Sequence, residues 1–293
     1  MESIDWEGGL GLGRAIVRGE PRVVLRRADQ EESLLAVVDG RLFADVPELL
    51  EATGGDIERI QAGPREQVRD DELLSPVGAP RKILCTGRNY LDHVREAGHA
   101  APPETPELFA KWATSLSAPY ADIALPVESN QIDFESELAV VIGRRVRRVT
   151  PDDAADAVFG YTVASDGSVR DWQFRSQQAT AGKGWDGLTP LGPVIVPVGG
   201  IGARPDLLIE GVLNGDVLQS DRTSGMLIGV PELVSFASTF VTLEPGDILL
   251  TGTPAGVGAA RTPPRYLTDG AVFEARIEGI GSVRNRYVAE EPV

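Results

Sequence analysis

The sequence predicts a β-rich α+β fold in which a small α/β module precedes a larger, strand-dense domain. Three observations point there. Strand-like runs crowd the chain from Arg81 onward, helical stretches between them are few and short, and Asn214-Gly215 sits between two apolar runs as a tight hairpin turn requires. The regular alternation of strand and helix that marks a parallel sheet is missing.

In the amino-terminal module, LLAVVDGRLF (34–43) reads as two short strands around Asp39-Gly40. VPELLEATGG (46–55) reads as a short helix closed by glycine. AGPREQVRDDELLSPVGAP (62–80) has turn residues at both ends, many charges and little periodicity. It is expected to be a linker between a module at 1–61 and a domain at 81–293. Beyond it, strands are expected at RKILCT (81–86), IDFESELAVVIG (132–143), GYTVASD (160–166), PVIVPV (193–198) and the hairpin pair LLIEGVL and DVLQ. Two more follow Pro245-Gly246 and Asp269-Gly270, at DILLTG (247–252) and AVFEARIEGI (271–280). In VPELVSFASTF, Pro231 suits a first helical turn, and Leu233, Phe236, Ala237 and Phe240 fall on one face.

At 293 residues the chain can bury a sizeable core, and its 42% hydrophobic and 25% charged composition is that of a folded globular protein. The net charge of −16 would repel phosphate backbones and anionic lipid, so neither nucleic acid nor membrane is an expected partner. No apolar run approaches the roughly 20 residues that cross a bilayer. The single Cys85 excludes an internal disulfide, and MESIDWEGG has no basic or apolar leader region, so a cytoplasmic protein is expected.

Alternate residues of a strand share a face, so in IDFESELAVVIG the side chains of Asp133, Glu135 and Glu137 would point one way, about 7 Å between neighbours. Such a row is commonly solvent-facing. Here the following Ala139-Val140-Val141-Ile142 argues that the strand runs into the interior, where clustered carboxylates call for a hard cation such as Mg²⁺, Mn²⁺ or Ca²⁺. Asp166, ending GYTVASD, could complete a metal site, although taken alone it reads first as a helix N-cap. Arg170 and Gln173, three residues apart, would share a helical face and could bind a carboxylate or keto oxygen.

In TGRNYLDHVREAGH, Asn89 is placed as an N-cap and Gly98 as a stop, which gives a short helix from Tyr90 to Ala97. That helix sets His93 and Glu96 at i and i+3, where a carboxylate can orient an imidazole as a general base; a simple exposed ion pair is the alternative. Lys111 in LFAKW and Lys183 in TAGKGWDGLTPLGP sit among apolar, Gly or Pro residues, where lysine either neutralises an oxyanion or is merely solvated. TGTPAGVG (251–258) resembles an anion-cradling loop of backbone N–H groups without the lysine and spacing of a P-loop. Gly9, Gly11 and Gly13 begin a dinucleotide-binding fingerprint that Arg14 or Ile16 breaks, so no dinucleotide is expected. Cys85, in an apolar strand, is expected in the core and not as a nucleophile.

Taken together, GRNYLDH (87–93), FAK (109–111), ESE (135–137), DGSVRDWQ (166–173), Lys183 and GTPAGVG (252–258) resemble, in order, the motifs of the fumarylacetoacetate hydrolase superfamily. The likeness runs from residue 81 to about 288, is similar to the acylpyruvase and 2-hydroxyhepta-2,4-diene-1,7-dioate isomerase branch, and includes EGIGSVRNR (278–286) as the closing strand. The resemblance implies a mixed β-sandwich roll, usually homodimeric, with Mg²⁺ or Mn²⁺, or Ca²⁺ in their place, on Glu135, Glu137 and Asp166. Asp133 then drops out as a ligand. The resemblance also implies that His93 and Glu96 are a water-activating pair, on a segment that often orders only when substrate binds. Arg170, Gln173 and Lys183 match oxyanion and substrate contacts, Arg88, Tyr90 and Lys111 further substrate contacts, and Gly252 with Thr253 a carboxylate-binding loop. Gly167 departs from the aliphatic residue that relatives usually carry there, which makes the backbone beside the metal more permissive.

The activity so implied is C–C hydrolysis of an acylpyruvate-like β-diketo acid, a small α-keto acid partner. The metal would chelate its 1-carboxylate and 2-keto oxygens, His93 would activate the attacking water, and Lys183 would stabilise the oxyanion as pyruvate leaves. On the same site, the alternatives are decarboxylation of an oxaloacetate-type diacid and isomerisation of a dienoate diacid. A non-catalytic binding protein is the alternative from another class.

Overall fold

In the computed structural model, which describes Ile4, Trp6 and residues 9–290, the amino-terminal module is an antiparallel meander. The segment read for a leader lies mostly outside the described residues. The meander comprises β1 (Leu10–Val17), β2 (Glu20–Arg27), β3 (Glu32–Val38) and β4 (Arg41–Leu42). Asp39 and Gly40 turn β3 into β4 with φ of 50° and 76°, the left-handed pair that a two-residue hairpin needs. Helix α1 (Val46–Thr53) begins on the Asp45 carboxylate and stops at Gly54, φ 69°.

The 62–80 segment is not a free linker. Within it β5 (Gln61–Gln67) pairs with β3, and β6 (Leu73–Leu74) pairs with β1. Its charged side chains lie towards solvent while Val68, Leu73 and Val77 are buried, so a solvated edge was hidden by its own charge. The GLGLG glycines lie largely in β1, where a Cβ on Gly11 would come within 2.5 Å of the Ile195 carbonyl oxygen. Their smallness serves close strand pairing.

The chain continues through β7 (Ile83–Gly87), α2 (Leu91–Glu96), β8 (Glu107–Lys111), β9 (Leu116–Ser117), β10 (Ile123–Leu125), β11 (Ile132–Asp133), β12 (Ser136–Ile142) and α3 (Pro151–Ala155). It then forms β13 (Val158–Ser165), β14 (Ser168–Val169), α4 (Arg170–Gln173), α5 (Thr180–Lys183) and β15 (Thr189–Pro197). Last come β16 (Leu208–Leu213), β17 (Asp216–Arg222), α6 (Val230–Phe240), β18 (Ile248–Leu250), β19 (Val272–Ile277) and β20 (Gly281–Ala289). The architecture is strand-rich α+β, as the sequence predicts.

One sheet of 13 strands has the path β4-β3-β2-β1-β15-β13-β12-β18-β7-β8, so the module is joined to the rest through β1 and β15. A five-stranded sheet, β10-β20-β19-β16-β17, shares a core with it, and Phe134 stacks on Phe273 of β19 there. Every residue of β12, β13 and β15 is buried, which is why the 139–142 run lacks alternation. The β16–β17 hairpin turns at Asn214 and Gly215, φ 53° and 89°, as expected.

Two expected elements differ. IDFESELAVVIG is broken at Phe134-Glu135, between β11 and β12, so no single pleat aligns its three carboxylates. In α6 the buried face is Val230, Leu233, Val234 and Ala237, while Phe236 and Phe240 pack edge-on against each other and Phe240 is exposed. No described helix is long and apolar enough to cross a membrane.

Candidate metal centre and proton-transfer site

Glu135, Glu137 and Asp166 are buried, and each offers a carboxylate oxygen within 4.8 Å of the others. Antiparallel pairing of Ser136 with Ser165 carries Asp166 to the ESE segment, and the Asp166 amide donates to the Glu135 carbonyl at 2.9 Å. Asp166 caps no helix: its carboxylate accepts from Lys111 Nζ at 2.5 Å and Lys183 Nζ at 2.8 Å. Lys183 also donates to Glu135 Oε2 at 2.7 Å, and Arg170 Nη2 to Glu135 Oε1 at 2.6 Å. Glu137 accepts only the Gly252 amide, at 2.7 Å, among the described residues.

This arrangement splits the carboxylates electrostatically. Burial opposes ionisation of Glu135, but Lys183 and Arg170 outweigh it and hold its pKa well below the ordinary value. Burial, then repulsion from Asp166 and Glu135, pushes Glu137 well above it. Lys183 is desolvated too, yet Asp166 and Glu135 keep its ammonium protonated beyond the usual lysine range. Counting Asp133, four buried carboxylates meet the three buried cations Lys111, Lys183 and Arg170, and the uncompensated charge falls on Glu137. An all-oxygen donor set with residual negative charge fits a hard divalent cation.

The second half of the site is carried by α2. Its N-cap is Tyr90, not Asn89, whose side chain instead donates to the Ile228 and Thr251 carbonyls and accepts from the Ile228 amide. Gly98 ends the helix with φ 80°, as expected. His93 Nδ1 lies 2.7 Å from Glu96 Oε1, so the i,i+3 pair forms. Glu96 Oε2 accepts from the Gly256 amide at 2.8 Å, tying the pair to the GTPAGVG loop. A Cβ on Gly256 would meet the Leu218 carbonyl oxygen at 2.0 Å, so only glycine lets the loop come this close.

His93, Glu96, Glu135, Glu137, Arg170, Gln173, Lys183 and Thr253 line one cleft of about 810 Å³. Arg88, also on its wall, pairs with Glu107 and has a φ of 54°. Arg170 Nη1 donates to Gln173 Oε1 at 2.9 Å, so this i,i+3 pair is also real. Thr253 is anchored by its hydroxyl, which donates to the Ser136 carbonyl and accepts from Gln219. Gly252 contributes its amide to Glu137.

Three expected substrate contacts are not in the cleft wall: Gly252, whose amide is taken by Glu137, Lys111 and Tyr90. Lys111 is fully buried on Asp166 and the Gly167 carbonyl, where it supports the aspartate. Tyr90 is fully buried, with a hydroxyl that finds no partner among the described residues. Cys85 is a core residue as expected, and burial above all, with Asp166 adding, pushes its thiol well up. Gly167 is needed for space and not for latitude, since a Cβ there would sit 2.2 Å from the Leu188 carbonyl oxygen. Sequence reasoning missed Asp133 as an anchor and the role of Gly256; the only signal for the latter was its place in a Gly-rich loop.

A family model described as fumarylacetoacetate (FAA) hydrolase C-terminal matches residues 82–288. A mitochondrial oxaloacetate tautomerase of Bos taurus is 40% identical over 270 residues, covering 92% of this chain and 80% of the relative. An oxaloacetate tautomerase of Bacillus subtilis (strain 168) is 41% identical over 219 residues, 73% of this chain and 72% of the relative. Among solved structures, the fumarylacetoacetate hydrolase from Exiguobacterium antarcticum superposes with a TM-score of 0.80 at 33% identity, covering 96% of this chain and 100% of that one. The 2-hydroxyhepta-2,4-diene-1,7-dioate isomerase from Mycobacterium marinum gives 0.74 at 31% identity, with 97% and 100% covered. Motif order, strand-rich architecture and these matches agree: the chain belongs to the fumarylacetoacetate hydrolase family.

Proposed function

We propose that the chain is a tautomerase, dependent on Mg²⁺ or Mn²⁺, that moves a proton between carbon and oxygen in a small α-keto diacid of the oxaloacetate type. The observation that carries this reading is the His93–Glu96 pair on the wall of the cleft that Glu135, Glu137 and Lys183 also line. Two relatives named as oxaloacetate tautomerases support the substrate class, and the diene-dioate isomerase shares the reaction class. Those names favour proton transfer over acylpyruvate hydrolysis, the activity expected first from the motifs.

A carboxylate only accepts hydrogen bonds, so Glu96 fixes the proton on His93 Nδ1 and leaves Nε2 free as a base. Nε2 takes a proton from the carbon next to the keto group and returns it to the keto oxygen, giving the enol; the reverse path restores the ketone and no water is consumed. Lys183, locked in its charged form, donates to that oxygen as negative charge builds. Arg170 has N–H groups beyond those used on Asp133, Glu135 and Gln173, and these take a substrate carboxylate. Held by Glu135, Glu137 and Asp166, the cation would supply Lewis-acid polarisation of the keto acid.

The test follows enol-oxaloacetate by ultraviolet absorbance with Mn²⁺ present, while pyruvate and CO₂ are assayed in the same sample. Faster enol decay without cleavage products is expected. Pyruvate forming as fast as the enol disappears would replace the tautomerase reading with decarboxylation, and cleavage of an acylpyruvate without enol acceleration would restore hydrolysis. A cytoplasmic homodimer is part of the same proposal. Sedimentation at the mass of one chain, or recovery in another cell fraction, would remove that part.

A further inference from the structure

Asp133 is a fully buried carboxylate that neither the metal cluster nor the proton-transfer pair uses. Its Oδ1 accepts from the amides of Phe134 at 2.9 Å and Gly258 at 2.7 Å. Its Oδ2 accepts from the Ala259 amide at 3.0 Å and Arg170 Nε at 2.8 Å. Four donors occupy its lone pairs, so no oxygen is left for a ligand. The loop packs closely on this carboxylate: a Cβ on Gly258 would lie 2.6 Å from Oδ1 and 2.0 Å from the Arg265 carbonyl oxygen.

What remains adjustable is Arg170. Pairing of β11 with β14, Asp133 opposite Ser168, sets the carboxylate beside the start of α4. The guanidinium is a rigid planar fork, so holding Nε on Asp133 and Nη2 on Glu135 fixes its plane. Arg170 also lines the cleft, and one N–H on each of Nη1 and Nη2 is not used by Asp133, Glu135 or Gln173. Without Asp133 the fork would keep only its two terminal contacts, Nη2 on Glu135 and Nη1 on the half-buried Gln173, and its Nε–H would have no acceptor.

We propose that Asp133 is the positioning residue of Arg170: anchored by the 258–259 backbone, it orients the guanidinium so that a keto acid's carboxylate meets two aligned N–H groups. This rests on the reading above that Arg170 receives the substrate carboxylate. Asp133→Asn keeps the shape but turns a donor towards a donor, so Arg170 or the loop loses its partner.

The experiment is calorimetric titration of oxalate into the Mn²⁺-loaded protein. Asp133→Asn should bind oxalate roughly ten- to a hundredfold more weakly, the range a charged hydrogen bond spans. The double variant with Arg170→Lys should be no weaker than Arg170→Lys alone, because both changes disable one device. Unchanged oxalate affinity in Asp133→Asn, or losses that add in the double variant, would overturn the proposal, since a merely structural anchor gives additivity. Should Asp133→Asn not fold, the Arg170 Nε–H resonance of the unaltered, metal-free protein decides: slow solvent exchange supports the contact, and fast exchange removes it. Absent oxaloacetate turnover in the unaltered enzyme would sink the tautomerase reading while leaving both binding readouts intact. If the unaltered protein binds no oxalate, the carboxylate reading fails and the Nε–H exchange alone judges the Asp133 contact.

Discussion

The Gly256 amide donates to Glu96 Oε2 at 2.8 Å across 160 residues of sequence, and Glu96 spends its other oxygen on His93. The imidazole is thereby oriented from a rigid loop and not only from its own short helix. Glu96→Gln should lower kcat by about 10²–10⁴-fold, as should His93→Ala, while Mn²⁺ titration of both variants stays close to the unaltered protein. Full turnover in His93→Ala would take the pair out of the proton transfer.

Glu137 carries the uncompensated charge of the centre. Its folded pKa is raised, so its contribution to the stability of the metal-free protein is fully present below the unfolded carboxylate pKa and is lost as pH rises through the folded value. Thermal unfolding in EDTA should therefore show Glu137→Gln gaining on the unaltered chain as pH rises. Mn²⁺ affinity of the unaltered chain should climb over the same window, because a proton must leave for the cation to bind. A pH-independent difference between the two chains would contradict this.

Lys111 sits on Asp166 with both side chains wholly buried. Lys111→Met removes a cation and leaves a carboxylate uncompensated, which should cost the metal-free protein about 3–5 kcal/mol. Mn²⁺ should restore more stability to this variant than to the unaltered chain, as read by denaturant unfolding with and without metal. A rise in KM with stability untouched would instead return Lys111 to the substrate.

Gly167 stands 3.1 Å, amide to carbonyl, from Leu188. Gly167→Ala would place a Cβ in the space of that carbonyl, so about 1–3 kcal/mol of stability should be lost, together with part of the Mn²⁺ affinity as Asp166 moves. An alanine variant as stable as the parent would show that the backbone segments at 167 and 188 can separate cheaply.

Much of the fold was legible because it depends on local chemistry. Asp39-Gly40 and Asn214-Gly215 turn where two left-handed residues are cheap, Gly54 and Gly98 stop helices, and His93 meets Glu96 through helical spacing alone. The cluster that could hold a metal was legible through motif order, whereas strand periodicity pointed to Asp133 and assumed a straight strand that breaks at Phe134-Glu135. The 62–80 segment misled because edge strands carry charge, as linkers do.

The sequence by itself determined the strand-rich class, the two hairpins, the helix stops and the residues that gather at the centre, since turn chemistry and short spacings are written in neighbouring positions. Only the tertiary structure decided which carboxylate does what. Asp133 is claimed by Arg170, 37 residues away, and by Gly258, 125 away; Lys111 is claimed by Asp166, 55 away. A buried charge takes its role from the partners that compensate it, and those partners come from strands that only the folded sheet brings together.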